Sequence, residues 1–116
     1  MAGLIFLKTG DLDEIRKFYI DKIGMELWHD QGKCIILRHE NFLLGFCKGE
    51  IEGVSPCITF FYKTKEEVNT MYSLLRDIAT SDPVFNKEFN IYHFWAQDVE
   101  GRTLEFQHFC DSSLRI

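Results

Sequence analysis

Apolar and polar positions along the chain change period in an order that occurs twice. Leu4 to Lys8 reads as a strand, broken by Thr9-Gly10. Asp11 followed three residues later by Glu14 predicts a helix start with Asp in the cap. Leu12, Ile15, Phe18 and Tyr19 then form a helical stripe that Gly24 closes. Three β-like runs follow, Met25–His29, Cys34–Arg38 and Phe42–Cys47, and residues 48–53 read as a linker. The order then restarts. Cys57–Tyr62 is a strand, Thr64 with Glu67 repeats the cap, and Val68, Met71, Tyr72, Leu75, Ile78 and Ala79 make the stripe. Ser81-Asp82-Pro83 ends it. Strands are predicted near Val84–Phe85, at Ile91–Gln97 and at Thr103–Phe109.

The two halves align residue by residue. At an offset of 53, Asp11, Ile15, Phe18 and Tyr19 fall on Thr64, Val68, Met71 and Tyr72. At an offset of 60, Glu40, Leu44 and Phe46 fall on Glu100, Leu104 and Phe106. The difference places a seven-residue insertion around Asp82–Asn90. An α+β duplication follows, each copy running strand–helix–three strands, with modules at residues 1–53 and 54–116 of one domain.

Composition narrows the function. At 116 residues the chain buries roughly two-thirds of its unfolded surface, enough for a core without staples. Eleven Phe, four Tyr and two Trp exceed what so small a core absorbs, so some are expected to line a cavity or an interface. The net charge of −5, with acids and bases interspersed, argues against nucleic-acid and anionic-membrane partners. No apolar run approaches the roughly 20 residues of a membrane span, and the apolar start at Met1–Phe6 is too short for a signal peptide. Cys34, Cys47, Cys57 and Cys110 lack CxxC spacing and are expected as reduced thiols of a cytoplasmic protein.

Asp98-Val99-Glu100-Gly101-Arg102-Thr103-Leu104-Glu105-Phe106 resembles the "DPDG…E" hairpin of the vicinal oxygen chelate superfamily, which includes glyoxalase I, bleomycin- and fosfomycin-resistance proteins and ring-cleaving dioxygenases. Asp11-Leu12, Phe18-Tyr19 and Ile23-Gly24-Met25-Glu26 are similar to its "D-L…F-Y…L-G-x-E" stretch. The resemblance spans essentially the whole chain. It implies two tandem βαβββ modules whose mixed sheet curls into a cup with the helices outside, and a homodimer. It also implies metal ligands on the first and last strand of each module in the metal-dependent members. Carried over by motif, those positions are Leu4, Gly45, Cys57 and Glu105. Leu4 and Gly45 have no side-chain donor, which leaves Glu105 and Cys57 as candidate ligands where about three are needed.

With Leu4 and Cys57 inward, strand alternation turns Phe6, Lys8, Thr59 and Phe61 inward too, and Ile5, Leu7, Ile58 and Phe60 under the helices. A four-residue turn at Asp98–Gly101 would pair Gln97 with Arg102 and Phe94 with Glu105. Tyr92, Phe94, Thr103, Glu105 and Gln107 would then share the inner face, as would Cys34, Ile36, Gly45 and Cys47 of the first module. Glu105 is the candidate catalytic group, as ligand contact, base or metal ligand; a carboxylate held by Lys8 or Tyr92 is the structural alternative. Phe6, Lys8, Thr59, Phe61, Tyr92, Phe94 and Gln107 are the candidate ligand-binding residues. His93 and His108 fall under the helices in this register; a slip of one residue would bring His93 into the cup as the best acid–base candidate.

The expected function is that of a glyoxalase/bleomycin-resistance-like protein binding a small, partly aromatic or apolar molecule, with no cofactor. The alternative is a divalent-metal-dependent lyase, isomerase or dioxygenase similar to glyoxalase I, with Glu105 as a ligand. Metal-free acid–base chemistry by Glu105 with Tyr92 or His93 is a third reading.

Overall fold

Each helix begins where the sequence places a cap. In the computed structural model, which describes residues 2–51 and 56–114, the Asp11 carboxylate accepts from the Glu14 N–H at 3.0 Å and starts α1 (Leu12–Lys17). The Thr64 hydroxyl accepts from the Glu67 N–H at 3.2 Å and starts α2 (Lys65–Leu74). Helix α1 runs on as a π-helical stretch over Phe18–Ile23, whose wider turn leaves Phe18, Tyr19 and Ile23 all buried. Gly24 closes it at φ 93°, a left-handed conformation that favours glycine.

The chain divides into two compact units, Met1–Val54 and Ser55–Ile116. Glu52 and Gly53 of the expected linker, and the boundary itself, lie outside the described residues. The first unit holds β1 (Gly3–Thr9), β2 (Glu26–Asp30), β3 (Cys34–His39) and β4 (Phe42–Lys48) in a sheet ordered β1-β4-β3-β2. The second holds β5 (Ile58–Tyr62), β6 (Val84–Asn86), β7 (Ile91–Gln97) and β8 (Thr103–Phe109), ordered β5-β8-β7-β6. In both, the first strand pairs parallel to the last and the rest run antiparallel, so the sheets are mixed. This is the expected α+β pair of βαβββ modules.

The helix sides differ in coverage. Phe60, Phe106 and Phe94 stack in a row, at 5.5 and 5.0 Å between ring centres, and Tyr72 of α2 meets Phe94 edge-on at 5.3 Å. In the first unit α1 lies against β3 and β4, over the buried Leu37, Leu44 and Phe46. Leu7 is buried as expected. Ile5 is not: it stays 52% exposed, because the short helix is centred away from β1.

The cysteines need a second correction. Cys34 and Cys47 face each other across β3 and β4 and form a disulfide, where reduced thiols were expected. A two-residue turn at Glu40–Asn41 pairs His39 with Phe42, and the same ladder carried down both strands brings the two sulfurs together. Cys57 and Cys110 are free thiols. No helix among the described residues is long and apolar enough to cross a membrane.

Candidate functional site

The hairpin loop between β7 and β8 decides which side chains share a face. The turn Asp98–Gly101 forms as expected, with the Gly101 N–H donating to the Asp98 carbonyl at 3.0 Å and Gly101 at φ 84°. Arg102, however, is an added bulge residue: Asp98 N–H donates to its carbonyl at 3.0 Å, and the ladder closes on Gln97 and Thr103 instead of Gln97 and Arg102. The Asp98 carboxylate accepts from the Glu100 and Arg102 N–H groups, both at 2.9 Å, and fixes the loop. One added residue turns every β7 side chain over relative to β8.

Tyr92 and Phe94 therefore lie on the helix side, a correction to the expected lining. Tyr92 donates its hydroxyl to Asn69 of α2, and Phe94 pairs with Phe106, fully buried. His93 and Trp95 move to the opposite face, where Trp95 stands across from Glu105 and His93 across from Gln107. His108 stays on the helix side, its Nδ1 within hydrogen-bond distance of the Tyr62 carbonyl at 3.0 Å.

On the face away from α2, a line of hydrogen bonds crosses three strands. Thr59 on β5 donates its hydroxyl to Glu105 Oε1 at 2.9 Å, and the other carboxylate oxygen, Oε2, meets His93 Nδ1 at 2.7 Å. Parallel pairing of Thr59 with Glu105 sets the first contact, and the diagonal across the β7–β8 ladder sets the second. Glu105 is 8% exposed and His93 6%. A carboxylate so enclosed is costly unless its lone pairs are used, and both oxygens are. Cys57 Sγ lies 3.7 Å from Thr59 Oγ1; since the Thr59 proton goes to Glu105, the thiol is the donor there.

Rings flank this line. Trp95 meets the His93 ring edge-on at 5.3 Å, Phe61 meets Phe109 in the same manner at 5.3 Å, and both Trp95 and Phe61 are exposed. Of the sequence-predicted residues, the second unit gathers Thr59, Phe61, Glu105 and Gln107 on one face. Phe6 and Lys8 share a face of the first unit. His93 and Trp95 are added to the site, and the signal that finds them is the residue after Gly101 read as a bulge.

The donor set does not match the ligand set the resemblance implies. Within the first unit, Phe6 pairs with Gly45, and a Cβ built on Gly45 would run into the Phe6 ring. In the second, Glu105 is already engaged by Thr59 and His93. No group of three or more His, Cys, Asp or Glu side chains able to hold a metal ion occurs among the described residues.

No protein-family model matches the sequence, and no match is found among curated proteins. Solved structures do match. A glyoxalase/bleomycin resistance protein/dioxygenase from Alicyclobacillus acidocaldarius superposes with a TM-score of 0.78 at 20% identity, covering 100% of this chain and 96% of that one. A lactoylglutathione lyase from Agrobacterium tumefaciens gives 0.79 at 15% identity, over 98% and 97%. An integron cassette protein from the mobile metagenome of the Halifax Harbour sewage outfall gives 0.80 at 17%, over 93% and 97%. The chain has the vicinal oxygen chelate fold. At these identities the likeness describes the fold, and the reaction must be argued from the site.

Proposed function

We propose that the chain binds a small, partly aromatic or apolar molecule on the Glu105 face of the second module, in the manner of glyoxalase/bleomycin-resistance-like proteins and without a complete catalytic metal site. The observation that carries this reading is the line from half-buried Thr59 to buried Glu105 and His93, set between the exposed rings of Trp95 and Phe61. Ligand pockets combine an apolar wall with a few fixed polar groups, and this face supplies both. The engagement of both Glu105 oxygens by protein partners supports the metal-free part.

The test is elemental analysis of freshly purified protein, followed by an aromatic ligand screen read by thermal shift. We expect well under one divalent metal per chain and ligands whose stabilisation is lost in Glu105→Leu. Near one metal per chain, lost in Glu105→Gln, would instead establish the lyase, isomerase or dioxygenase alternative with Glu105 as a ligand.

A homodimer belongs to the same proposal. Edge strand β1 carries exposed Leu4, Ile5 and Phe6, and edge strand β6 carries exposed Val84 and Phe85; apolar strand edges of this kind favour pairing. Light scattering on the eluting protein reads its mass. The proposed cytoplasmic location loses part of its support, since it rested on reduced cysteines and Cys34–Cys47 are bonded.

A further inference from the structure

The hydrogen bonds on the Glu105 face fix the direction in which a ligand must bond. The Thr59 hydroxyl proton is committed to Glu105 Oε1, and an ionised carboxylate only accepts. Glu105 Oε2, 2.7 Å from His93 Nδ1, therefore requires the ring proton on Nδ1. In the neutral ring that leaves a lone pair, and no proton, on Nε2. This second nitrogen has no hydrogen-bond partner among the described residues, and it is not one of the buried unpaired polar atoms, so it reaches the surface. Gln107, directly across the ladder from His93, likewise has an amide that reaches the surface without a hydrogen-bond partner among the described residues. An amide can donate or accept. A lone pair on Nε2 can only accept.

We propose that this face recognises its ligand through an O–H or N–H group on a planar ring, donated to His93 Nε2, with the Gln107 amide as a second contact and the ring against Trp95. The proposal rests on the ligand-binding reading above and adds the class of molecule. A ring carrying the same oxygen as a methyl ether cannot donate and leaves the acceptor unpaired, so it is disfavoured by about tenfold or more. Glu105 works here as a positioning residue, because it sets which His93 nitrogen bears the proton.

Phenol and anisole are the probes, since methylation keeps the ring and its oxygen and removes the O–H donor. Both are titrated into the Trp28→Phe variant, which leaves Trp95 as the remaining tryptophan, and fluorescence reports binding. Histidine ring nitrogen NMR on the unliganded protein reports the tautomer. The expected result is a His93 ring protonated on Nδ1 alone and phenol binding at least about tenfold tighter than anisole. In Glu105→Gln, whose amide can donate to Nδ1, the proton should move to Nε2 and the phenol preference should disappear. A wild-type ring protonated on Nε2, or on both nitrogens, overturns the proposal whatever the affinities. Equal binding of the two probes overturns it and leaves the ligand-binding face standing. Failure of both to perturb Trp95 overturns the face itself as a ligand site.

Discussion

The two modules share one lattice of positions and fill it with opposite chemistry. On the face away from the helix, Phe6 pairs with Gly45 in the first module and Thr59 pairs with Glu105 in the second. Ile36 stands across from Gly45 as Trp95 stands across from Glu105. One step along, Cys34 faces Cys47 where His93 faces Gln107. The first module thus has a ring lying over a glycine beside a disulfide. The second has a buried carboxylate held by a hydroxyl and an imidazole. A duplicated fold can keep one copy as apolar scaffold while the other carries the polar groups, provided each buried polar atom finds a partner within its own sheet.

The hairpins show how the difference is built. The first module turns in two residues, Glu40–Asn41; the second uses five, Asp98–Arg102. The longer loop folds over Arg102, 1% exposed, whose guanidinium bonds Asp98 at 3.0 Å and Glu100 at 2.9 Å. Burial pulls this guanidinium down, and the two carboxylates more than offset it, so it is held above its ordinary value and stays charged. Arg102→Met should therefore destabilise the protein more than any other single change proposed for either hairpin. It removes the guanidinium partner of the buried Asp98 carboxylate at Oδ2 while the backbone donors to Oδ1 remain, and should cost about 3 kcal/mol in urea unfolding. A loss below about 1 kcal/mol would mean the loop is held by its backbone bonds alone.

Removing the crosslink tests the other side of the comparison. Cys34→Ser with Cys47→Ser should lower stability by about 2–3 kcal/mol, the range for closing a short loop. The native protein should show two reactive thiols, Cys57 and Cys110, and four after reduction. Four thiols before reduction would remove the crosslink from the comparison.

How much of this could be read from the sequence depends on whether local chemistry or a count across strands decides it. The caps at Asp11 and Thr64 and the strands Ile91–Gln97 and Thr103–Phe109 are legible because each rests on neighbouring residues. The correspondence of Gly45 with Glu105 is legible from the repeat, since both pair with the same position of the first strand. The side of the sheet taken by His93 is not, because one bulge residue at Arg102 reverses it and a turn motif ending at Gly101 does not announce the bulge. The disulfide needs the register set at Glu40–Asn41 before either cysteine can be matched.

A smaller effect follows from the filled space above Gly45. Gly45→Ala places a methyl group against the Phe6 ring, which must swing aside. Phe6 is 47% exposed and has room to move, so the cost should fall near ~1 kcal/mol, at the low end for overpacking. In the Phe6→Ala background the same change should cost almost nothing, and the coupling energy of that double-mutant cycle measures the contact. Additive losses would place the ring elsewhere.

The smallest effect belongs to an exposed pair in the first module. The Gly32 N–H donates to Asp30 at 2.8 Å and Arg16 donates at 3.1 Å, and these bonds outweigh desolvation to hold the Asp30 carboxyl below its ordinary value. A carboxyl lowered in the folded state binds its proton more readily once unfolded, so its contribution is complete above the ordinary carboxylate range. It is lost as pH falls through the lowered folded value. Asp30→Asn should therefore melt slightly below the wild type at neutral pH and level with it in strong acid, and salt should shrink the neutral-pH gap because the pair is exposed. Melting curves at the two extremes decide the sign: a gap that widens in acid would mean the carboxyl is raised by folding, and the Gly32 and Arg16 bonds would not be what holds it.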